Sequence, residues 1–180
     1  VRCVLETGVV QPASGTVGNS RTFRNADSAE VYGFELEGRK EFALGESLTQ
    51  SFFVSGNYSY IDSEVEFGND DDRELQGQPE YVFNLVLGYD DIERSQEFTL
   101  LMNQNGDTIV DVGVSGQPDV ILEPRLELDV NYKWFFADDW QLVLKANNVL
   151  DEDFEFSQGS ETFQEYRTGR EYTIGLNWNF

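Results

Sequence analysis

The feature that most constrains this chain is an alternation of apolar and polar residues with a period of two. In the last segment Tyr172, Ile174, Leu176, Trp178 and Phe180 share one face, and polar or small residues occupy the positions between them. Successive side chains of a β-strand point to opposite faces, whereas a helix would scatter this pattern around its axis. The segment therefore predicts a strand with one apolar and one polar face.

The same alternation recurs along the rest of the chain. Residues 122–136 predict a single long strand, and residues 1–10 carry a weaker pattern that we interpret as the remnant of an eighth strand. The other alternating segments are residues 32–42, 52–60, 81–90, 98–103 and 140–147. Strands of globular sheets usually have about 5–6 residues, whereas a strand that crosses a bilayer needs about 9–11. Strand length therefore favours a membrane β-barrel over a soluble β-sandwich.

Short connections alternate with long polar ones. The short ones are residues 43–47, 91–96 and 137–139, and the long ones are residues 12–27, 62–78, 105–121 and 151–165. Short turns on one side and long loops on the other are typical of outer-membrane barrels, whose turns face the periplasm. Aromatic residues cluster near the short turns, where we expect the periplasmic aromatic girdle.

Composition narrows the function. The chain has 34 acidic and 12 basic residues, a net charge of −22, which argues against a nucleic-acid partner. Histidine is absent and Cys3 is the one cysteine, so imidazole-dependent catalysis, an intrachain disulfide and a thiolate zinc cage are excluded. We therefore predict that the protein is not an enzyme and has no cofactor and no metal site. The mean hydropathy of −0.45 excludes a helical membrane protein but not a barrel, whose strands are only half apolar.

Four stretches resemble the barrel of the TonB-dependent receptors, the outer-membrane family that imports siderophores, cobalamin and some oligosaccharides in Gram-negative bacteria. They are residues 25–40 (NADSAEVYGFELEGRK), 77–89 (GQPEYVFNLVLGY), 139–154 (DWQLVLKANNVLDEDF) and 166–180 (YRTGREYTIGLNWNF). The similarity covers residues 20–180. It implies an all-β fold: an antiparallel transmembrane β-barrel segment of about seven or eight meandering strands from a 22-stranded barrel.

The resemblance also implies a domain organisation and a function. Residues 1–180 would be the C-terminal part of the barrel domain, and the plug domain would be absent. The parent would be an active-transport receptor of the outer membrane, energised by the TonB system, for uptake of a ferric siderophore or a similar scarce nutrient.

Two alternatives remain open. The first is a complete small eight-stranded barrel with a structural or adhesin role, in which residues 1–11 would pair with residues 169–180. The second is a soluble carbohydrate-binding β-sandwich, which would bury Trp134, Trp140 and Trp178 in a core.

The resemblance implies several partners. These are outer-membrane lipid and lipopolysaccharide, the TonB energy-coupling protein through the missing N-terminal region, the outer-membrane assembly machinery and a small external ligand such as a siderophore. The alternating aromatics at the end of the chain resemble the signal that the assembly machinery recognises, and they also suit a girdle at the membrane interface.

Three sets of residues are candidates for functional roles. The acidic loops could attract a cationic or metal-bearing ligand, bridge to lipopolysaccharide through divalent cations, or only keep the loops solvated. The loop candidates are Asp70, Asp71, Asp72, Arg73, Glu74, Asp151, Glu152 and Asp153. The candidates for the barrel lumen are Glu37, Arg39, Arg125, Glu127, Lys133 and Arg170. The candidates for the girdle and the assembly signal are Tyr172, Trp178 and Phe180.

Overall fold

The computed structural model describes residues 9–12, 21–24, 26–45, 48–67, 72–113 and 116–178. The regular structure of these residues is antiparallel β-structure, and none of them belongs to a helix that could cross a membrane. The strands are β1 (Val9–Pro12), β2 (Arg21–Arg24), β3 (Ser28–Leu44), β4 (Gln50–Glu66), β5 (Tyr81–Asp91), β6 (Gln96–Asn105), β7 (Thr108–Asp111), β8 (Val120–Leu122), β9 (Arg125–Ala137), β10 (Trp140–Asn147), β11 (Phe154–Gln158), β12 (Glu161–Tyr166) and β13 (Glu171–Trp178).

Seven strands form one sheet in the order β3-β4-β5-β6-β9-β10-β13, which we call the wall. Tight turns join β3 to β4, β5 to β6, and β9 to β10, and long connections join the other neighbouring strands. The predicted alternation of short and long connections is therefore present, and the all-β antiparallel fold class is confirmed. Strands β3 and β4 have 17 residues each, well above the globular norm.

The register sorts apolar and polar positions onto opposite faces of the wall. One row crosses the apolar face through Phe52, Tyr89, Phe98 and Tyr132. A row on the other face runs through Glu37, Asn57, Asn84, Asn103 and Glu127. A shift of one residue between any two strands would exchange these faces, so the pattern and the pairing specify each other.

Two aromatic belts cross the apolar face. The belt near the long loops contains Phe34, Tyr60 and Tyr81, and the belt near the short turns contains Phe42, Phe52 and Tyr89. The two belt positions in each strand are eight residues apart, about 27 Å of extended chain. With strands tilted by about 40°, this spacing corresponds to about 21 Å along the membrane normal, close to the apolar band of about 25 Å between two aromatic girdles. The sequence predicted only the belt near the short turns.

The long connections contain a second sheet, which we call the loop sheet, with the order β12-β11-β8-β7. The sequence predicts long loops at residues 105–121 and 151–165. This prediction is wrong, because the strands of the loop sheet lie largely in these residues. The single strand expected at residues 122–136 is also interrupted. Strand β8 ends at Leu122 and β9 begins at Arg125, because Pro124 has no N–H to donate and the N–H of Glu123 bonds to the Glu155 carbonyl of the loop sheet (2.9 Å).

Buried apolar side chains concentrate at the long-loop end of the molecule. The buried set is Val65, Phe67, Ile109, Val112 and Val120. Residues from two connections, β4–β5 and β6–β9, thus contribute to one small core, so these loops fold together instead of projecting separately into solvent. This core, which we call the loop core, lies beyond the wall strands on the side opposite the tight turns.

Neither alternative fold fits this arrangement. Trp134, Trp140 and Trp178 are 39%, 36% and 56% exposed instead of buried, which overturns the sandwich. Within the described residues β3 and β13 are the two edges of an open wall, and Val9–Pro12 pairs with β2 instead of β13. The pairing that a small closed barrel requires is therefore not formed by residues 9–12. Residues 1–8, the rest of the expected eighth strand, lie outside the described residues.

Candidate functional site

The polar face of the wall brings together five of the six residues predicted for the lumen. Glu37 and Arg39 lie on β3, and Arg125, Glu127 and Lys133 lie on β9, all on the same face by register. The sixth, Arg170, precedes β13, and its Nε donates to the Val149 carbonyl (2.7 Å). Its side chain therefore fastens the end of one long connection to the start of the same connection.

A ladder of side-chain amides crosses the polar face. Asn103 Nδ2 donates to Asn84 Oδ1 (2.5 Å), and Asn84 Nδ2 donates to Asn57 Oδ1 (2.8 Å). Asn57 Nδ2 then donates to Glu35 Oε1 (3.5 Å). Every amide donates in the same direction across four strands, which polarises the chain of bonds toward Glu35. The alternation in sequence cannot reveal this ladder, because only the register shows that the three asparagines are neighbours.

Ion pairs brace the same face. Lys133 Nζ lies 2.8 Å from Glu97 Oε2 on the neighbouring strand, and Arg125 Nη2 lies 2.7 Å from Glu127 Oε2. The Arg125 guanidinium also covers the Phe154 ring at 3.9 Å, which links the wall to the loop sheet. Partly exposed pairs of this kind contribute about 0–1 kcal/mol each. Their main consequence is a rigid and strongly polar wall surface.

A cleft of about 710 Å³ opens on the polar face near the tight turn between β5 and β6. Carboxylates, among them Glu41, Asp90 and Glu97, line it together with the rings of Phe53 and Phe135. The cleft could therefore hold a side chain with an apolar stem and a cationic head.

The first acidic segment is used to hold the loop core. Asp70 and Asp71 lie outside the described residues, and Asp72 is exposed. The backbone of Arg73 pairs with that of Val65, and its guanidinium lies 3.6 Å from Asp119 Oδ1 and 5.7 Å from the centre of the Phe67 ring. Arg73 thus ties the connection between β4 and β5 to the buried residues beneath it.

The second acidic segment is bound into local structure as well. Glu152 Oε2 accepts from the backbone N–H of Leu126 (2.8 Å), and the Asp153 carboxylate accepts from Nε and Nη2 of Arg167. The hydrogen bonds from Arg167 lower the pKa of the Asp153 carboxyl, and the hydrogen bond with Asp153 raises the pKa of the Glu165 carboxyl. Asp151 has a left-handed backbone conformation (φ 55°), and its N–H donates to the Asn148 carbonyl (3.1 Å).

Asn148 fastens the two ends of the last long connection. It is 6% exposed and has a φ of 53°. Its Nδ2 donates to the Gly169 carbonyl (2.8 Å) and to Thr168 Oγ1 (3.2 Å), and its N–H donates to Asp129 Oδ1 (2.9 Å). Asparagine tolerates the left-handed region better than most residues, so Asn148 can hold this turn and donate to the other end of the connection at the same time.

The acids of the described residues do not form a metal centre. No group of three or more Cys, Asp or Glu side chains in the part of the chain that the structure describes has the arrangement needed to hold an ion. What the site offers is a polar wall surface below a folded loop cap. Such an arrangement can bind a polar solute by hydrogen bonds and guide it along the wall.

The carboxyls near the loop core predict a pH dependence of loop stability. Burial and the neighbouring Glu80 and Asp62 raise the pKa of Glu74, and burial with Glu123 raises the pKa of Asp107. The folded loops therefore bind protons more tightly than the unfolded loops do. Loop stability should increase as the pH falls through the raised pKa values and should decrease above them.

Glu74→Gln should therefore slow amide exchange in the loop core at neutral pH and flatten its pH dependence. We expect an effect of about fivefold at most, because Glu74 is largely exposed. Hydrogen exchange of residues 63–67 between pH 5 and 8 measures the change in loop stability. Glu93→Gln, in the turn between β5 and β6, is the control. After division by the intrinsic exchange rate at each pH, weaker protection of the wild type at the acidic end would contradict the prediction.

A long-stranded meander with a lipid-compatible face, two aromatic belts and a polar opposite face defines the wall of an outer-membrane β-barrel. The sequence profile described as "TonB dependent receptor-like, beta-barrel" matches residues 5–149, and the chain belongs to this family. The family and the names of the relatives identify the location as the bacterial outer membrane.

Two kinds of relatives support this assignment. The chain is 26% identical over 164 residues to the "Iron-regulated outer membrane virulence protein" of two Vibrio cholerae O1 strains, Ogawa 395 and El Tor Inaba N16961. The match covers 91% of this chain and 24% of each relative. "The FrpB iron transporter from Neisseria meningitidis (F3-3 variant)" is similar in fold, with a TM-score of 0.56 and 19% identity over 89% of this chain and 25% of that chain. The chain thus spans about a quarter of the length of its relatives.

Proposed function

We propose that the complete receptor takes up a ferric siderophore, or a similarly scarce nutrient, across the outer membrane with energy from the TonB system. The observation that carries this proposal is the joined loop sheet above a polar wall face. A folded mouth over a hydrogen-bonding lumen suits capture of a solute and its passage inward. The names of the relatives support iron as the cargo, since one is iron-regulated and another is an iron transporter.

The proposal includes a domain organisation. Residues 1–180 would form the C-terminal part of the barrel domain, with the plug and the TonB-contacting segment in the rest of the receptor. The polar face would line the lumen through Glu37, Arg39, Arg125, Glu127 and Lys133. Its arrays of fixed dipoles and ion pairs would serve transport and not catalysis, so the protein would not be an enzyme.

The proposal also assigns roles at both ends of the wall. Trp178 stacks on Trp140 with ring centres 5.7 Å apart near the tight turns, which suits the periplasmic girdle. Tyr172 lies six positions closer to the long loops, so it would contact lipid above that girdle. Phe180 lies outside the described residues, and its part in the assembly signal stays a prediction. The acidic loops would face lipopolysaccharide and the external ligand.

Uptake by the source bacterium tests the proposal. Deletion of the gene should abolish iron-limited growth on at least one ferric siderophore and uptake of its radioactive iron, and the gene in trans should restore both. Removal of the TonB protein should abolish uptake without reducing surface binding. Hydroxamate, catecholate and carboxylate siderophores, cobalamin and oligosaccharides form the substrate panel.

A matched pair of variants links uptake to the loop sheet. Replacement of residues 154–166 by a short Gly-Ser turn should remove ligand binding and uptake while the barrel remains folded in the outer membrane. Gln141→Ser, on the polar face near the tight turns, serves as the control with normal uptake. Undiminished uptake of every solute of the panel in the strain that lacks the gene would refute the proposed function.

A further inference from the structure

Strand β12 is an exposed edge of the loop sheet. It pairs with β11 on one side, and within the described residues no strand pairs with its other side. All six of its residues are exposed, including Phe163 at 58%. The opposite edge is covered, because β7 receives hydrogen bonds from Gly77 N–H to Ile109 O (2.8 Å) and from Gln76 Nε2 to Val110 O (2.6 Å).

The loop sheet continues the wall upward strand by strand. Strand β7 follows β6, β8 leads into β9, β11 follows β10, and β12 leads into β13. The order β7-β8-β11-β12 therefore repeats the order β6-β9-β10-β13 of the wall. A backbone hydrogen bond from Val149 N–H to Leu128 O (2.8 Å) holds the start of the connection from β10 to β11 against β9. Strand β12 thus stands above β13 as β11 stands above β10.

The edge of β13 has to be paired inside the membrane. An unpaired backbone N–H or C=O in lipid costs several kcal/mol, so a spanning strand cannot leave its edge open. The relatives are about four times as long as this chain, which provides further wall strands to cover β13. Wall strands in this molecule commonly extend beyond the membrane, as the 17 residues of β4 show.

We propose that the wall strand that pairs with β13 continues above the membrane and pairs with β12, adding a fifth strand to the loop sheet. This partner is a segment of the same receptor outside residues 1–180. The inference rests on the fold of the family and holds whichever solute the receptor transports.

The charges of β12 define the chemistry of that segment. Glu165 lies opposite Glu155 in the register, and Glu161 lies at the start of the same strand. The nearby base, Arg167, already engages both oxygens of Asp153. Opposite charges stabilise cross-strand pairs and like charges destabilise them. The incoming strand should therefore carry Lys or Arg opposite Glu165 and an apolar side chain against Phe163.

Hydrogen exchange on the full-length receptor in lipid nanodiscs tests the pairing. Amides of residues 161–166 should exchange as slowly as those of β11, which is paired on both sides, and at least about 100-fold more slowly than those of unpaired loops. Alternate fast and slow amides along β12 would show a free edge and overturn the proposal.

Disulfide scanning identifies the partner. Phe163→Cys is combined with single cysteines placed along the extracellular extension of the wall strand that pairs with β13, after Cys3→Ser. A disulfide within the monomer is expected at one register position. A disulfide between two receptors, or none at any position, would overturn the proposal.

A charge pair provides the matched variants. Glu165→Lys should speed exchange of β12 by about fivefold or more, whereas Glu165→Gln should change it less than about twofold. Both variants are compared with wild type for folded receptor in the membrane. Equal effects of the two substitutions would overturn the assignment of a basic partner residue. If iron uptake failed while the amides of β12 were still protected, that result would count against the transport proposal alone.

Discussion

Gly33→Ala should strongly destabilise the pairing of β3 with β4. A Cβ on Gly33 would lie 2.1 Å from the carbonyl oxygen of Tyr60 and 3.2 Å from the Cα of Ile61. Both are backbone atoms of the neighbouring strand, so the clash can be relieved only by moving that strand. Forced backbone shifts cost about 1–3 kcal/mol and sometimes more. We expect the free energy of unfolding to fall by about 3 kcal/mol, because a shift of β4 would disturb a register that 17 residue pairs share.

Gly38 provides a matched control in the same strand. A Cβ at Gly38 would meet no atom within 4 Å, so Gly38→Ala should change stability by less than about 0.5 kcal/mol. Urea unfolding of the full-length receptor in detergent, followed by intrinsic fluorescence, measures both variants. If the two alanine variants were equally stable, the close approach of Gly33 to Tyr60 would be contradicted.

The wall could be predicted from sequence because its information is local. In β13 the residues Tyr172, Ile174 and Trp178 define a face without reference to any other strand. The same local signal predicted the alternation of short turns and long loops, and it predicted which residues lie on the polar face. A period of two predicts a strand with one apolar face, and the length of the strands and the alternation of short and long connections favour lipid over a soluble core as the partner of that face.

The loop sheet could not be predicted because its information is distant. Phe156 pairs with Leu122, 34 residues earlier, across two short strands with no clear alternation. The apolar runs at residues 109–110 and 120–122 were present in the sequence, but runs this short are compatible with many structures. Arg73 illustrates the consequence for the site: its neighbours suggested an exposed charge, whereas its contacts with Asp119 and Phe67 depend on the folding of two connections together.

The same limit applies to chemistry on the wall. Asn57, Asn84 and Asn103 are separated by loops of different lengths, and only the register makes them one ladder. Because polar ladders of this kind are fixed by strands that also face lipid, a change on the apolar face can misalign the polar face. The polar face and the lipid-compatible face are therefore coupled through the register.

Asn148→Ala should detach the connection between β10 and β13 from its anchor. Loss of Nδ2 removes the hydrogen bond to the exposed Gly169 carbonyl, which is worth about 0.5–1.5 kcal/mol. Alanine in the left-handed region at φ 53° adds about 1 kcal/mol. The total should be about 1.5–2.5 kcal/mol, seen as a lower free energy of unfolding and faster amide exchange at residues 168–171.

Asn148→Gly separates the two contributions. Glycine adopts the left-handed conformation without strain but makes no side-chain bond, so it should cost about 1 kcal/mol less than alanine. The order of stability should be Asn, then Gly, then Ala, measured by urea unfolding of the full-length receptor. Equal stability of the glycine and alanine variants would show that the backbone conformation contributes nothing. A glycine variant as stable as wild type would show that the bond to Gly169 does not hold the connection that carries β11 and β12 above the wall.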